Sequence, residues 1–225
     1  MIKSDYCVLD CETGGLFKDK NPITQFAAII LDGCTLKEKD RWETFVKPYD
    51  GLVIEKQALQ HTMVSMSDIN AGITKKEFAA TAKAWFASHQ AKAKTAEQGR
   101  LIMVGHNVLP FDRPFLDACF AEFGWSCDDY FFPGGIDTLP LAKLVFGIKG
   151  DEKINLGACL GYAKLKLTDA HGAMNDVEGN ADLLRWFMRK LRAKGGKSGS
   201  ASEEGAEEGG RARGSEFFEF SCGAK

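Results

Sequence analysis

The sequence predicts an α/β sandwich built on a mixed sheet. Three strand-like runs follow one another closely near the N-terminus, and beyond them helical periods alternate with a further apolar strand. At 225 residues, with 44% hydrophobic and 27% charged content, the chain is long enough for one sizeable globular domain plus an appendage.

The elements follow in order. Tyr6 to Asp10, apolar through Leu9, reads as a buried strand. Ile23 to Asp32, "ITQFAAIILD", is a second, and Gly33 to Thr35 supplies the turn after it. Arg41 to Pro48 alternates and stops at proline, giving a third strand. Short connections make these an antiparallel meander. From Thr74 the period changes: Phe78, Ala82, Trp85 and Phe86 fall at helical spacing, with Thr74 as N-cap and Glu77 three residues on. Leu101 to Gly105 is a short buried strand, and Phe115, Cys119 and Phe123 mark a helix after Pro114. Helices over Thr138 to Phe146, Asn155 to Tyr162 and Ala173 to Leu191 complete the domain, which is assigned to residues 1–193. Residues 194–225 are rich in glycine, serine and glutamate, and read as a flexible tail or a segment of cloning origin with no function of its own.

Composition narrows the class. A net charge of −2 gives no overall basic footprint, so nucleic-acid contact must come from local patches. Seven cysteines with no Cys-x-x-Cys pair point to free thiols and a reducing, cytoplasmic setting, with Cys7 and Cys159 as core fillers. Neither a secretory signal nor an apolar run near the ~18 residues of a membrane span is expected.

Chemistry enters through acids. Asp10 and Glu12 lie two apart at a strand end and share a face. Burying two carboxylates together is costly unless something cancels their charge. In "GHNVLPFD", Asp112 again follows a short apolar strand and enters an apolar helix, where a simple helix N-terminal acid is the bland alternative. In the last helix, Asp176 borders the stripe Ala173, Val177, Ala181, Leu184, Met188 and points inward. His171, about 140° past one turn from Asp176, belongs to the loop before it. Four carboxylates from three segments are neutralised most economically by divalent cations. An all-oxygen set favours Mg²⁺ or Mn²⁺, and two such ions serve phosphoryl displacement with histidine as general base.

On the three motifs "LDCETGGL", "GHNVLPFD" and "HGAMND", the chain resembles the DnaQ-like 3′–5′ exonucleases of the DEDDh type, over about Tyr6 to Leu191. The resemblance implies a ribonuclease H-like fold, a mixed five-stranded sheet flanked by helices. It implies that Asp10, Glu12, Asp112 and Asp176 hold two Mg²⁺ or Mn²⁺ ions and that His171 is the general base. Thr13, Gly14, Gly15 and Leu16 would hold the terminal nucleotide, His61 and Met63 would flank it, and Asn107 and Phe111 would line the strand's path. The substrate implied is nucleic-acid 3′ ends, DNA before RNA. Exoribonuclease trimming, proofreading for a separate polymerase and a non-catalytic binding module are the alternatives. The His106-to-Asp112 segment is one residue longer than in the bacterial proofreading subunit and resembles stand-alone members. A homodimer or a polymerase partner stays open.

His89 is expected to be solvated, and Trp42, Trp85, Trp125 and Trp186 to pack in the core or its rim. Lys75, Lys76, Lys83, Lys92 and Lys94 read as a solvated face, while Lys143, Lys149, Lys153, Lys164 and Lys166 are better placed for phosphate.

Overall fold

A computed structural model describes residues 4–62, 64–90, 99–149, 152, 154–166 and 172–195. Strands β1 (Tyr6–Thr13), β2 (Ile23–Leu31) and β3 (Glu38–Phe45) form the expected antiparallel meander. Strands β4 (Ile102–Gly105) and β5 (Ile136–Asp137) add in parallel on the other side, giving the order β3-β2-β1-β4-β5. The sheet is therefore mixed and five-stranded, as expected.

Strand alternation sorts the side chains of β1 and β2 onto two faces. Cys7, Leu9, Cys11, Phe26, Ala28 and Ile30 meet α3 (Lys75–His89) and α4 (Asp112–Ala121). Tyr6, Val8, Ala27, Ile29 and Leu31 meet the long helix that starts at Ala173, numbered α7 (Ala173–Gly195), through Ala173, Val177, Ala181 and Leu184. Being buried on both faces is why β1 and β2 read as near-continuous apolar runs. Helices α5 (Thr138–Phe146) and α6 (Leu156–Ala163) pack on the flank of α7 through Ala142, Cys159, Leu160, Leu183 and Phe187. Full burial of each such large side chain contributes about 1.5–3 kcal/mol.

Local signals set most boundaries. The Thr74–Glu77 capping box starts α3, Asn155 caps α6, and Gly147 ends α5 at φ +67°. β3 starts at Glu38 rather than Arg41 and ends at Phe45, before Pro48, because an edge strand needs only its backbone pairing on β2. Helix α4 starts at Asp112, not after Pro114; proline is tolerated in a first turn because its missing N–H has no intrahelical partner there. The last helix runs to Gly195, past its expected end at Leu191, and residues 196–225 of the tail lie outside the described residues.

Two short helices, α1 (Lys56–Thr62) and α2 (Met66–Ala71), went unpredicted: α1 buries no residue and α2 buries Ile69 alone, so neither has an apolar period. His89 is not solvated. Its Nε2 meets Asp40 Oδ2 at 2.9 Å and its ring stands edge-on to Trp85, whose Nε1 donates to the same carboxylate. Lys75 also leaves the solvated face, pairing with Asp50 and Glu122 above the Tyr49 ring. The four tryptophans pack as expected, Trp125 stacking on Phe120 at 3.8 Å, Trp42 beside Trp85 at 5.8 Å, and Trp186 near Phe146 at 5.3 Å. The six described cysteines are free, with Cys7 and Cys159 fully buried. Among the described residues no helix is long and apolar enough to cross a membrane.

Candidate active site

The face shared by Tyr6 and Val8 becomes polar at the end of β1, where alternation presents Asp10 and Glu12 just beyond the apolar patch under α7. The first turn of α7 delivers Asp176 to the same place. One carboxylate oxygen from each of Asp10, Glu12 and Asp176 lies within 4.8 Å of the others. Asp112 approaches from the opposite side of β1. β4 pairs with β1 only through Val8, so the strand edge beyond is open, and Asp112 Oδ1 takes the Cys11 N–H at 2.8 Å. Asp112 is 3% exposed and is thus pinned behind the strand that carries Asp10 and Glu12.

The electrostatics of this arrangement are unfavourable by themselves. Burial, then Asp112, Glu12 and Asp176, push the Asp10 carboxyl well above its usual range. Burial and Asp176 push Glu12 up to about 7. Burial pushes Asp112 up to about 8 even though the Cys11 N–H opposes the shift. Acceptor-only groups gathered against their mutual repulsion fit a divalent cation. The donor set is all oxygen with no thiolate, which suits a hard ion such as Mg²⁺ or Mn²⁺.

Next to the acids, the chain turns through Thr13, Gly14 and Gly15 to Leu16, which is 73% exposed. Leu16, Gly15, Glu55, Ala58 and His61 line a cleft of about 410 Å³. The turn is tightly fixed. Thr13 Oγ1 donates to the Gly15 carbonyl at 2.7 Å. Asn21, 1% exposed, accepts from the Phe17 N–H and donates to the Val53 carbonyl and Glu55 Oε1. A Cβ on Gly15 would lie 2.6 Å from the Asn21 amide. Gly15→Ala is therefore expected to displace Asn21 and cost about 2 kcal/mol, the scale of an overpacked buried site. Thermal denaturation checks this, and a melting temperature equal to wild type would refute it.

The predicted residues thus divide. Asp10, Glu12 and Asp176 converge, with Asp112 behind them; Gly15, Leu16 and His61 share one cleft, and Thr13 and Gly14 belong to the turn that leads into it. Asn107, at φ +66°, and Phe111, packed on Phe115 at 5.1 Å, sit on the loop between β4 and α4 and do not line that cleft. His171 and Met63 lie outside the described residues, as do Lys92, Lys94 and Lys153. Among the phosphate candidates, Lys166 instead joins a separate groove with Arg41, Glu178 and Arg185, where Arg41 is already paired with Glu38 and Glu178. Sequence reasoning missed Cys11, whose role is its backbone, and Asn21, whose amide reads in sequence as an ordinary turn residue.

Residues 7–184 match the model of the exonuclease family RNase_T. Ribonuclease T of Haemophilus influenzae (strain PittEE) is 27% identical over 194 residues, covering 84% of this chain and 81% of that protein. Ribonuclease T of Vibrio vulnificus (strain CMCP6) is 26% identical over 195 residues, covering 84% and 86%. Among solved structures, E. coli exonuclease I in complex with a dT13 oligonucleotide superposes with a TM-score of 0.65 at 18% identity, over 85% of this chain and 42% of that one. The chain spans about two-fifths of the exonuclease I length, and at this identity the likeness is one of fold.

Proposed function

The chain belongs to the RNase_T family of exonucleases, and from its cluster of acids we propose that it removes nucleoside 5′-monophosphates from single-stranded 3′ ends, DNA before RNA. The observation that carries this reading is the convergence of Asp10, Glu12 and Asp176 at the end of β1, beside the Leu16–His61 cleft.

Asp10, Glu12 and Asp176, with Asp112 behind them, would hold two Mg²⁺ or Mn²⁺ ions. Bound there, such ions would acidify a water and stabilise charge on a leaving oxygen. His171 would take a proton from an attacking water as its oxygen adds to phosphorus, and the P–O3′ bond would break to leave a shortened strand ending in a 3′-hydroxyl and a free 5′-monophosphate. Leu16 and His61, with Met63, would flank the terminal nucleotide. The Thr13–Gly15 backbone, fixed by Asn21, would meet its sugar at close range. Asn107 and Phe111 would act further along the strand, on the α4 side of β1.

RNA is a second reading, favoured by the ribonuclease T relatives, which align with this chain over more than four-fifths of its length. One experiment tests both. The protein is incubated with 5′-labelled single-stranded DNA and RNA of one sequence, in Mg²⁺, Mn²⁺ or EDTA. A ladder shortening from the 3′ end is expected, absent in EDTA and in Asp176→Ala, with DNA degraded faster. Faster RNA degradation would transfer the assignment to RNA, and no cleavage of either would overturn the enzymatic reading.

A further inference from the structure

Gln25 stands on β2 directly across from Glu12, so its side chain shares the face of Asp10 and Glu12. It is 4% exposed, and its Nε2 donates to Glu43 Oε1 at 2.7 Å. A carboxylate offers acceptors only, so this bond fixes which way the amide is turned: nitrogen toward β3, oxygen away from Glu43. Among the described residues nothing donates to that oxygen, Gln25 Oε1. A buried carbonyl oxygen without a donor is rare and signals a missing partner.

The neighbourhood restricts what the partner is. With a cation bound, Glu12 opposite is ionised and offers acceptors only, and Glu43 is committed to the amide nitrogen. Two acceptors across a strand pair repel unless a donor or a cation stands between them. A water ligand of a divalent cation suits this place, because the ion polarises its O–H groups and makes them strong donors.

We propose that Gln25 is a positioning residue of the metal centre: its amide oxygen accepts a hydrogen bond from a water on the cation held by Glu12, and Glu43 sets the amide's orientation. This rests on the metal-dependent reading of the acid cluster. It adds a residue from a second strand that none of the three acid-bearing motifs contains. Glu43 acts only through Gln25, from the edge strand.

Titration calorimetry with Mn²⁺ alone, paired with thermal denaturation of the metal-free proteins, tests it. Gln25→Met keeps the shape and removes the acceptor. Its Mn²⁺ affinity is expected to fall about 10-fold or more, the usual effect of losing a partner behind the ligands, while its metal-free melting temperature stays level or rises. Glu43→Gln, which lets the Gln25 amide turn either way, is expected to bind with intermediate affinity. Mn²⁺ affinity in Gln25→Met within twofold of wild type would overturn the proposal. So would an affinity loss matched by a lower metal-free melting temperature, which marks a merely structural residue. Wild-type affinity in Glu43→Gln would overturn the orienting role of Glu43. Wild-type protein that binds no Mn²⁺ would instead defeat the metal-dependent reading itself, so the two failures are distinct.

Discussion

Asp10→Asn is expected to lower the exonuclease rate by about 10³-fold or more while raising the melting temperature of the metal-free protein. The rate argument starts from position: Asp10 lies among Glu12, Asp112 and Asp176 and feels all three as like charges. A cation held there is worth several kcal/mol to a phosphoryl transition state, and each 1.36 kcal/mol is about tenfold in rate. The stability argument has the opposite sign. Asparagine keeps the volume and removes a carboxyl whose ionisation burial and its acidic neighbours oppose, so the folded protein without metal gains. Single-turnover kinetics on a labelled oligonucleotide and a thermal melt in EDTA measure both. A variant retaining a tenth of the rate, or melting lower than wild type, would refute the assignment of Asp10.

The parts of the fold that could be read in advance are those whose burial imposes a period. β1 and β2 are enclosed on both faces, so their apolar runs could mean little else; α3 carries both stripe and cap, and α7 carries the stripe. α1 and α2 bury almost nothing, and β5 is a two-residue strand whose pairing with β4 is a tertiary fact. The acids were legible for a different reason. Asp10, Glu12 and Asp176 each break an apolar element at its end, a local inconsistency that sequence exposes. Their supports were not legible. Cys11 contributes a backbone N–H, Gln25 meets Glu12 only through strand register, and Asn21 reaches Val53 and Glu55 across more than 30 residues. None of these contacts has a residue-type signature.

Raising the pH of the metal-free protein from about 6.5 to about 8.5 is expected to lower its melting temperature, with Mn²⁺ restoring it most at the alkaline end. Glu12 and Asp112 are raised from ordinary values of 4.5 and 3.8 to about 7 and about 8. Between each pair of values the folded state holds a proton that the unfolded state has released. The stability this confers is complete below the ordinary values and is lost as pH rises through 7 and then 8. Groups shifted the other way act outside the window. Asp32, held low by its Thr35 backbone bond, and Glu38, held low by Arg41, lose their contribution only in acid. Burial holds the His106 imidazole below its usual range, and its effect is complete above about pH 6.5. For a chain of this size each kcal/mol lost moves the melting temperature by about 2–4 °C. A cation binds the deprotonated carboxylates, so the gap between melts with and without Mn²⁺ should widen with pH. A metal-free melting temperature that stays flat or climbs across the window, or a Mn²⁺ shift independent of pH, would mean that these carboxyls are not held protonated against one another, and the case for the cluster as a cation site would lose its electrostatic basis.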